Sequence, residues 1–580
     1  MRAVLTGCPF CSCGCGVYLC EADGRLTGVM PSRGHPVSAG RLCARGWAAH
    51  EAALWGERLT RPLLRRNGRL MPVDWDEALA AAAAGLRAAS LPGVLGSARL
   101  TNEENYLAAR LARGALGVGH VDVPLRAGYL PLLRELQAVP TLRQGSLDDL
   151  EHADVVLVLD RNLASSHPRA AFAVLRAVSR GVRVIVVSAT RGQLARVAAR
   201  HLPVRPGDEA ALLAALASAA DGRELLPDDP TSGAAAWLAA AQSPFALVAS
   251  DALAPEDGAM IGRALGRLAA VAWSAVSASV LVLPARSNLR GACESGAVPD
   301  AWPGDLPLAN AGARGRLARA WGREPSTDVG LDAAALAARA DALLVLAEEV
   351  PGAPRKERFM VVADAFATPT AATADVVLPI AAPAESEGTM TSAAGRSSPV
   401  RPALAPPGQA RPGWRLLTDL AAALGLPARP ASAGEIAAEL AAVVHGAGGG
   451  HRLAPVVSAE ATGGGAEAEP EGVLLAVDGH YDWGADAMVA MAPTLGRDRR
   501  ALDKLYRSGF VEASPEEAKA LGLRAGWPVT VRSTHGAATV QLALRDDLPR
   551  GLVLVPPGFV GHLDRVLGGR HRVAVQLEKA

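Results

Sequence analysis

The residues best equipped for chemistry sit near the start of the chain. Cys8, Cys11, Cys15 and Cys43 are spaced C-x2-C-x3-C-x27-C, within the segments CPFCSCGCG and GRLCARG. Three thiolates in one short loop and a fourth returning from a distance supply the tetrahedral iron ligands of a [4Fe–4S] cube. A zinc ribbon would use two C-x2-C knuckles, and Cys43 stands alone. A disulfide framework suits short secreted chains, whereas 7 cysteines in 580 residues are sparse and odd in number. Cys13 and Cys20 stand close enough in sequence to be alternative ligands. Cys293 reads as a small buried apolar side chain. A cube of this kind passes single electrons, so a redox partner is expected elsewhere.

Three further loops carry groups suited to an anionic ligand. Asp160 to Pro168, DRNLASSHP, follows a buried apolar run and precedes a helix. Asn162, Ser166 and the helix start at Pro168 present donors where a phosphate would sit, although Ser166 could simply cap that helix. Val204 to Asp208, VRPGD, also opens a helix, and Asp208 could cap it or accept hydrogen bonds from a guanine-like base. Ser287 to Ala292, SNLRGA, is a glycine-containing loop after a strand. No GxGxxG dinucleotide fingerprint and no P-loop is present.

The elements positioning these loops alternate. Asp74 starts a helix with acids in its first turn, and Asn102 to Leu116 forms another, stopped by Gly117. The run 154–159 is a buried parallel strand, followed by a helix over 168–180 and a strand over 182–187. Further strands are predicted at 245–249, 279–283, 342–346 and 360–363. Strands alternating with helices over this length imply α/β layers with ligands at strand carboxyl ends. Residues 446–471 are low-complexity and glycine-rich and read as a flexible linker. The stretch beyond is β-rich.

Composition narrows the function. The formal net charge is +1 and 50% of residues are hydrophobic. Balanced charge argues against nucleic acid or an anionic membrane surface as principal partner. The weakly polar run 268–285 reads as a helix followed by a strand rather than as a membrane span. MRAVLTGC carries neither an apolar core nor twin arginines, so a cytoplasmic location is expected.

The order of these blocks resembles the molybdopterin oxidoreductase superfamily, which includes formate dehydrogenases, molybdenum nitrate reductases and the large iron–sulfur subunit of respiratory NADH dehydrogenase. The resemblance rests on the cysteine module, SARLTNEENYLAARLARGALG (97–117), the Asn162 and His167-Pro168 loop, and RSNLRGACESGAVPD (286–300). DAFATPTAATADVVLPIAAPAESEGTMTSAAGR (364–396) and SPEEAKALGLRAGWPVTVRSTHGAATV (514–540) extend it. It implies an α/β fold with a [4Fe–4S] module at 1–57 and one α/β lobe from 58–135 and 325–428. A second, dinucleotide-binding lobe spans 136–324, a linker 429–471, and a double-psi β-barrel 472–580. The implied cofactors are one [4Fe–4S] cluster on Cys8, Cys11, Cys15 and Cys43 and a bis-molybdopterin guanine dinucleotide with molybdenum or tungsten.

Carried over by position, Arg45 lies between cluster and pterin as an electron-transfer residue, where composition alone would allow a solvated surface arginine. Asn162, Ser166, His167, Arg205, Gly207, Asp208, Asn288 and Gly291 are the implied dinucleotide contacts. Thr368, Asp375, Glu385, Gly388, Thr389 and Arg396 fall in a block with a partly structural role. Where family enzymes carry a cysteine, selenocysteine, serine or aspartate on the metal, the register gives Gly128, followed by Tyr129. Glycine cannot ligate. The implied function is therefore a formate dehydrogenase-like oxidoreductase or electron-transfer subunit without that ligand, its catalytic residues unassigned. The alternative is a metal-free electron-transfer or scaffold subunit like that of NADH dehydrogenase. An iron–sulfur or flavin partner subunit is expected, and a small-molecule substrate is compatible.

Overall fold

The computed structural model describes residues 1–53, 57–160, 162–222, 230–250, 253–350, 357–427, 430–445, 473–478 and 493–580. The chain divides into two compact units, Met1–Arg126 with Arg286–Ala454, and Ala127–Ala285 with Pro455–Ala580.

In the first unit, an antiparallel three-stranded sheet of Arg2–Gly7, Gly16–Ala22 and Arg25–Pro31 carries the cysteine loop at its first hairpin. A seven-stranded sheet forms the core. Its buried centre is parallel, running Val376–Pro379, Phe359–Asp364, Ala342–Leu346, Pro92–Leu95 and Val121–Asp122. These strands are rich in Val, Leu and Ala because helices and loops cover both faces. Asp74 caps the helix Trp75–Ala88 through the Glu77 N–H, as its position predicted. Thr101 and Glu104 form a reciprocal capping box on the helix Asn102–Ala109, which continues as a π-helix over Arg110–Leu116 until Gly117 turns left-handed at φ 69°.

Residues 286–324, predicted to lie in the second lobe, belong to this first unit. Arg113 explains part of that: its buried guanidinium donates to the carbonyls of Val298, Pro299, Ser326 and Asp328. Four carbonyls on one fixed cation tie the segment to the π-helix. Ala433–His445 is a helix, although the sequence suggested a linker from 429. Its composition is alanine-rich with few breakers, and the glycine-rich part begins only at 446. Residues 446–471 lie outside the described residues.

The second unit holds a six-stranded parallel sheet in the order Arg200–Pro203, Arg183–Ser188, Val155–Leu159, Pro244–Ala249, Ala278–Leu283, Leu142–Gln144. The chain leaves Val155–Leu159 towards one edge and later returns to its other side, making a switch point beside that strand. The helix Pro255–Ala272 and strand Ala278–Leu283 account for the apolar run at 268–285. No helix among the described residues is long and apolar enough to cross a membrane. The C-terminal part closes into a six-stranded barrel, Val473–Val477, Leu552–Val555, Phe510–Ala513, Ala537–Leu544, Pro528–Arg532 and Arg572–Lys579. Phe510, Val531, Leu542 and Phe559 fill it.

Glu104 is a strongly perturbed carboxyl of the first unit's core. Burial pushes it up to about 7, against hydrogen bonds from Thr101 and Trp414 that favour its charged form. A carboxyl raised in the folded state from the ordinary 4.5 contributes stability that is full below pH 4.5 and lost as pH rises through about 7. The loss is on the order of 3 kcal/mol. Glu104→Gln mimics the neutral form. Its thermal midpoint, measured against the parent by calorimetry, is expected to gain between pH 5 and about pH 7 and to hold that gain above, and a difference constant across this range would contradict this.

Candidate functional site

The cysteine loop gathers thiols at the end of the first hairpin, although among the described residues no three His, Cys, Asp or Glu side chains are drawn together around a single metal ion. Gly7 pairs with Gly16 across the hairpin, and the Cys8 N–H donates to the Cys15 carbonyl at 2.8 Å. Cys8, Cys11, Cys13 and Cys15 are all buried, at 5–9% exposure, and no disulfide joins any cysteine. Cys43 stands at the start of the one-turn helix Ala44–Trp47. Burial pushes the Cys8 thiol well above its ordinary value, and Cys15, Cys11 and Cys43 push it further. Thiols gathered so, without disulfides, are suited to a cationic centre that would hold them as thiolates. The donor set therefore fits an iron–sulfur cube, and Cys13 lies against the same group through Cys11.

The loop is held from behind. The Ala393 N–H donates to the Ser12 carbonyl at 2.8 Å, and Arg290 donates to the Ala393 carbonyl at 2.8 Å. Gly14, at φ 75°, packs so closely on Ser392 that an added Cβ would lie 2.5 Å from its Cβ. The sequence pointed to none of these supports, because the contact spans some 380 positions. Arg45 is buried at 6% exposure, two residues beyond Cys43, a placement compatible with a fixed cation beside the cluster.

The Asn288 amide accepts from the Thr391 N–H at 2.7 Å and donates to the Leu100 carbonyl at 2.8 Å. A Cβ on Gly291 would meet the Asn102 and Asn288 Oδ1 atoms at 2.0 and 2.1 Å. Both residues help lock Leu289–Glu294 to its neighbours. The later block is structural as well. Glu385 forms a fork with Arg58, Thr389 binds Glu103, Thr368 caps Pro369–Thr373, and Asp375 receives the Met360 N–H. Gly388, at φ 145°, lies against the Glu103 carboxylate. Arg396 is exposed on the hairpin that backs the cysteine loop.

In the second unit, the 160–167 loop leaves the switch-point strand. Asn162 adopts a left-handed φ of 61°, and the Ser165 and Ser166 N–H groups close back on its carbonyl at 2.9 and 3.0 Å. His167 is fully buried. Its Nε2 lies 2.9 Å from the Pro284 carbonyl and must donate, so Nδ1 accepts from the Ser166 hydroxyl at 3.0 Å. Both ring nitrogens serve the loop. His167 and Ser166 thereby help fix the shape of the loop.

Asn162, Ser165, Thr190, Asp160, Asp478 and Arg545 border a cavity of about 160 Å³. Asp160 was missed as a site residue. It accepts from the Leu163 N–H at 2.6 Å, and burial with the nearby Asp478 charge pushes it up to about 6. Carboxylates, amide and hydroxyls suit the donors of a nucleoside's base and sugar. Arg545 is already paired with Asp547 and Glu512. Nearby, Arg205 and Asp208 are exposed on the 204–208 loop. Gly207, at φ 106°, lets the Arg572 guanidinium approach, since a Cβ would sit 2.6 Å from its carbon.

Gly128 lies in the helix Arg126–Gln137, which contains Pro131. A Cβ there would lie 2.6 Å from the Leu253 carbonyl oxygen, and one on Gly258 would lie 2.3 Å from the Gly128 oxygen. Backbone meets backbone at this point, with no room for a side chain.

Against this geometry, the molybdopterin oxidoreductase model matches residues 58–423. The chain belongs to the molybdopterin oxidoreductase family. The family's Fe4S4 domain matches residues 1–53, and the Molydopterin dinucleotide binding domain matches 493–575. Its cofactors are accordingly a [4Fe–4S] cluster and a bis-molybdopterin guanine dinucleotide, and the chain is an oxidoreductase of enzyme type. The alpha subunit of F420-dependent formate dehydrogenase 1 from Methanococcus maripaludis is 28% identical, over 96% of this chain and 94% of that one. An NADH-quinone oxidoreductase subunit from Rhizobium meliloti is 29% identical, over 96% of this chain and 70% of its own length. Acetylene hydratase from Pelobacter acetylenicus shares the fold, with a TM-score of 0.70, 17% identity and coverage of 99% and 100% of the two chains.

Proposed function

We propose that this chain is an iron–sulfur electron-transfer subunit of a redox complex, related to formate dehydrogenase and to the NADH-quinone oxidoreductase subunit. Cys8, Cys11, Cys15 and Cys43 hold the cluster, and Arg45 provides a fixed positive charge beside it. Asn162, Arg205, Gly207 and Asp208 line the approach to one dinucleotide, with Asp160 and Asp478 accepting from its base or sugar. A partner subunit carrying iron–sulfur or flavin groups exchanges electrons with it in the cytoplasm. When bound, the cofactors supply one-electron transfer at iron and two-electron chemistry at molybdenum or tungsten.

The observation carrying the electron-transfer emphasis is Gly128. The register that places a metal-ligating side chain at this position in formate dehydrogenases finds a glycine whose backbone is jammed against Leu253. A thiolate or selenolate from this position is sterically barred, which disfavours formate oxidation of the usual kind.

Metal and cofactor analysis of natively purified protein tests the proposal. About four irons per chain, with guanine nucleotide released on acid hydrolysis, is expected. Formate-dependent reduction of a viologen dye should be absent whether or not molybdenum or tungsten is present. Robust formate-dependent turnover would overturn the reading.

A further inference from the structure

We infer that the face around Cys43 is the electron port, docking an electron-carrier protein whose surface is acidic around its redox centre. The inference rests on the cluster reading above. Four cysteines of the loop are 5–9% exposed, and Cys43 is less buried than any of them. The shortest way out for an electron therefore passes this sulfur. The Trp47 N–H donates to the Cys43 carbonyl at 3.0 Å, which puts Trp47 one helical turn further along and on the same side. Its indole is 50% exposed, an unusual position for the largest apolar side chain and a common one for an interface anchor.

Charge tells which partner fits. Arg33 and Arg41 are exposed, and among the described residues no ion pair engages either guanidinium. The loop 32–42 brings them together. The Gly40 N–H closes on the Ser32 carbonyl at 2.9 Å, and the Arg33 stem runs 3.2 Å from where a Gly40 Cβ would be. Residues 31–50 contain no aspartate or glutamate, and Glu51 beyond them is buried. An exposed aromatic six positions after Arg41, together with two cations that no ion pair engages, selects an acidic partner and speeds its encounter at low salt. The exchange is a single electron, with no bond made or broken and no proton moved.

The test uses the full-length holoprotein and an acidic plant-type [2Fe–2S] ferredoxin as probe. Binding of the oxidised probe is followed by calorimetry, and stopped-flow absorbance follows oxidation of the reduced holoprotein. Arg33→Glu with Arg41→Glu is expected to weaken binding about tenfold or more at low salt and to flatten the salt dependence of the rate. Trp47→Ala should weaken both without flattening it. Arg319→Glu, on the separate helix Ala311–Trp321, is the control and should change neither. Iron content is measured on every sample. Full iron with unchanged affinity in the double variant would overturn the docking face while leaving the cluster intact. Absence of iron from the parent would remove the cluster reading and the port together.

Discussion

Cys11→Ala is expected to abolish the iron centre, dropping iron from about four per chain to below one, with loss of the brown chromophore. Cys8→Ala, Cys15→Ala and Cys43→Ala should do the same, because a cube missing one of its thiolates is opened to solvent and oxidation. Cys13→Ala should keep most of its iron, since four other sulfurs complete the set, and Cys293→Ala all of it. Cys293 is 2% exposed in Leu289–Glu294, and its thiol takes no part in the loop. Damage should also stay local. The hairpin bond between Cys8 and Cys15, the Ser12–Ala393 bond and the Gly14–Ser392 contact do not depend on metal. Iron and sulfide assays with far-ultraviolet circular dichroism check both points. Iron retained in Cys11→Ala but lost in Cys13→Ala would reassign the ligand set.

Gly128→Ala is expected to be one of the most destabilising single-methyl additions in the second unit. The added Cβ would fall 2.6 Å from a carbonyl oxygen and 3.1 Å from the Leu253 Cβ. Neither atom is the end of a flexible side chain, so the 126–137 helix must move away from its neighbour. Gly258 faces the same seam, and its own missing Cβ would strike the Gly128 oxygen at 2.3 Å. Overpacking of this kind costs about 1–3 kcal/mol. Gly128→Cys should cost as much and create no formate oxidation, because the thiol cannot be added without displacing the helix. Thermal denaturation read alongside a formate assay decides it. A Gly128→Cys protein as stable as the parent and newly active on formate would refute the packing argument and the proposed function at once.

These expectations show which parts of the chain were legible. The cysteine spacing pointed to a shared inorganic centre, since ligand chemistry constrains local sequence so tightly. The parallel strands were legible for the same kind of reason: Val155–Leu159 and Ala342–Leu346 are buried on both faces and admit no polar residue. What His167 and Asn288 bond to within the chain was not legible, because a polar side chain in a loop looks alike whether it faces a ligand or a neighbouring carbonyl. Their partners, Pro284 and Leu100, lie over 100 positions away. Asp160 was overlooked because its significance depends on Asp478 and Arg545, brought to it only by the closed barrel. The boundary near 286 was hidden in the same way, by the carbonyl hub at Arg113.

Electron paramagnetic resonance of anaerobically purified, dithionite-reduced protein, quantified against iron and acid-labile sulfide, tests the central claim most directly. One low-temperature spin-½ signal of about one spin per chain, with about four irons and four sulfides, is the predicted result. Stoichiometric zinc, or iron without sulfide, bound at these cysteines would contradict it.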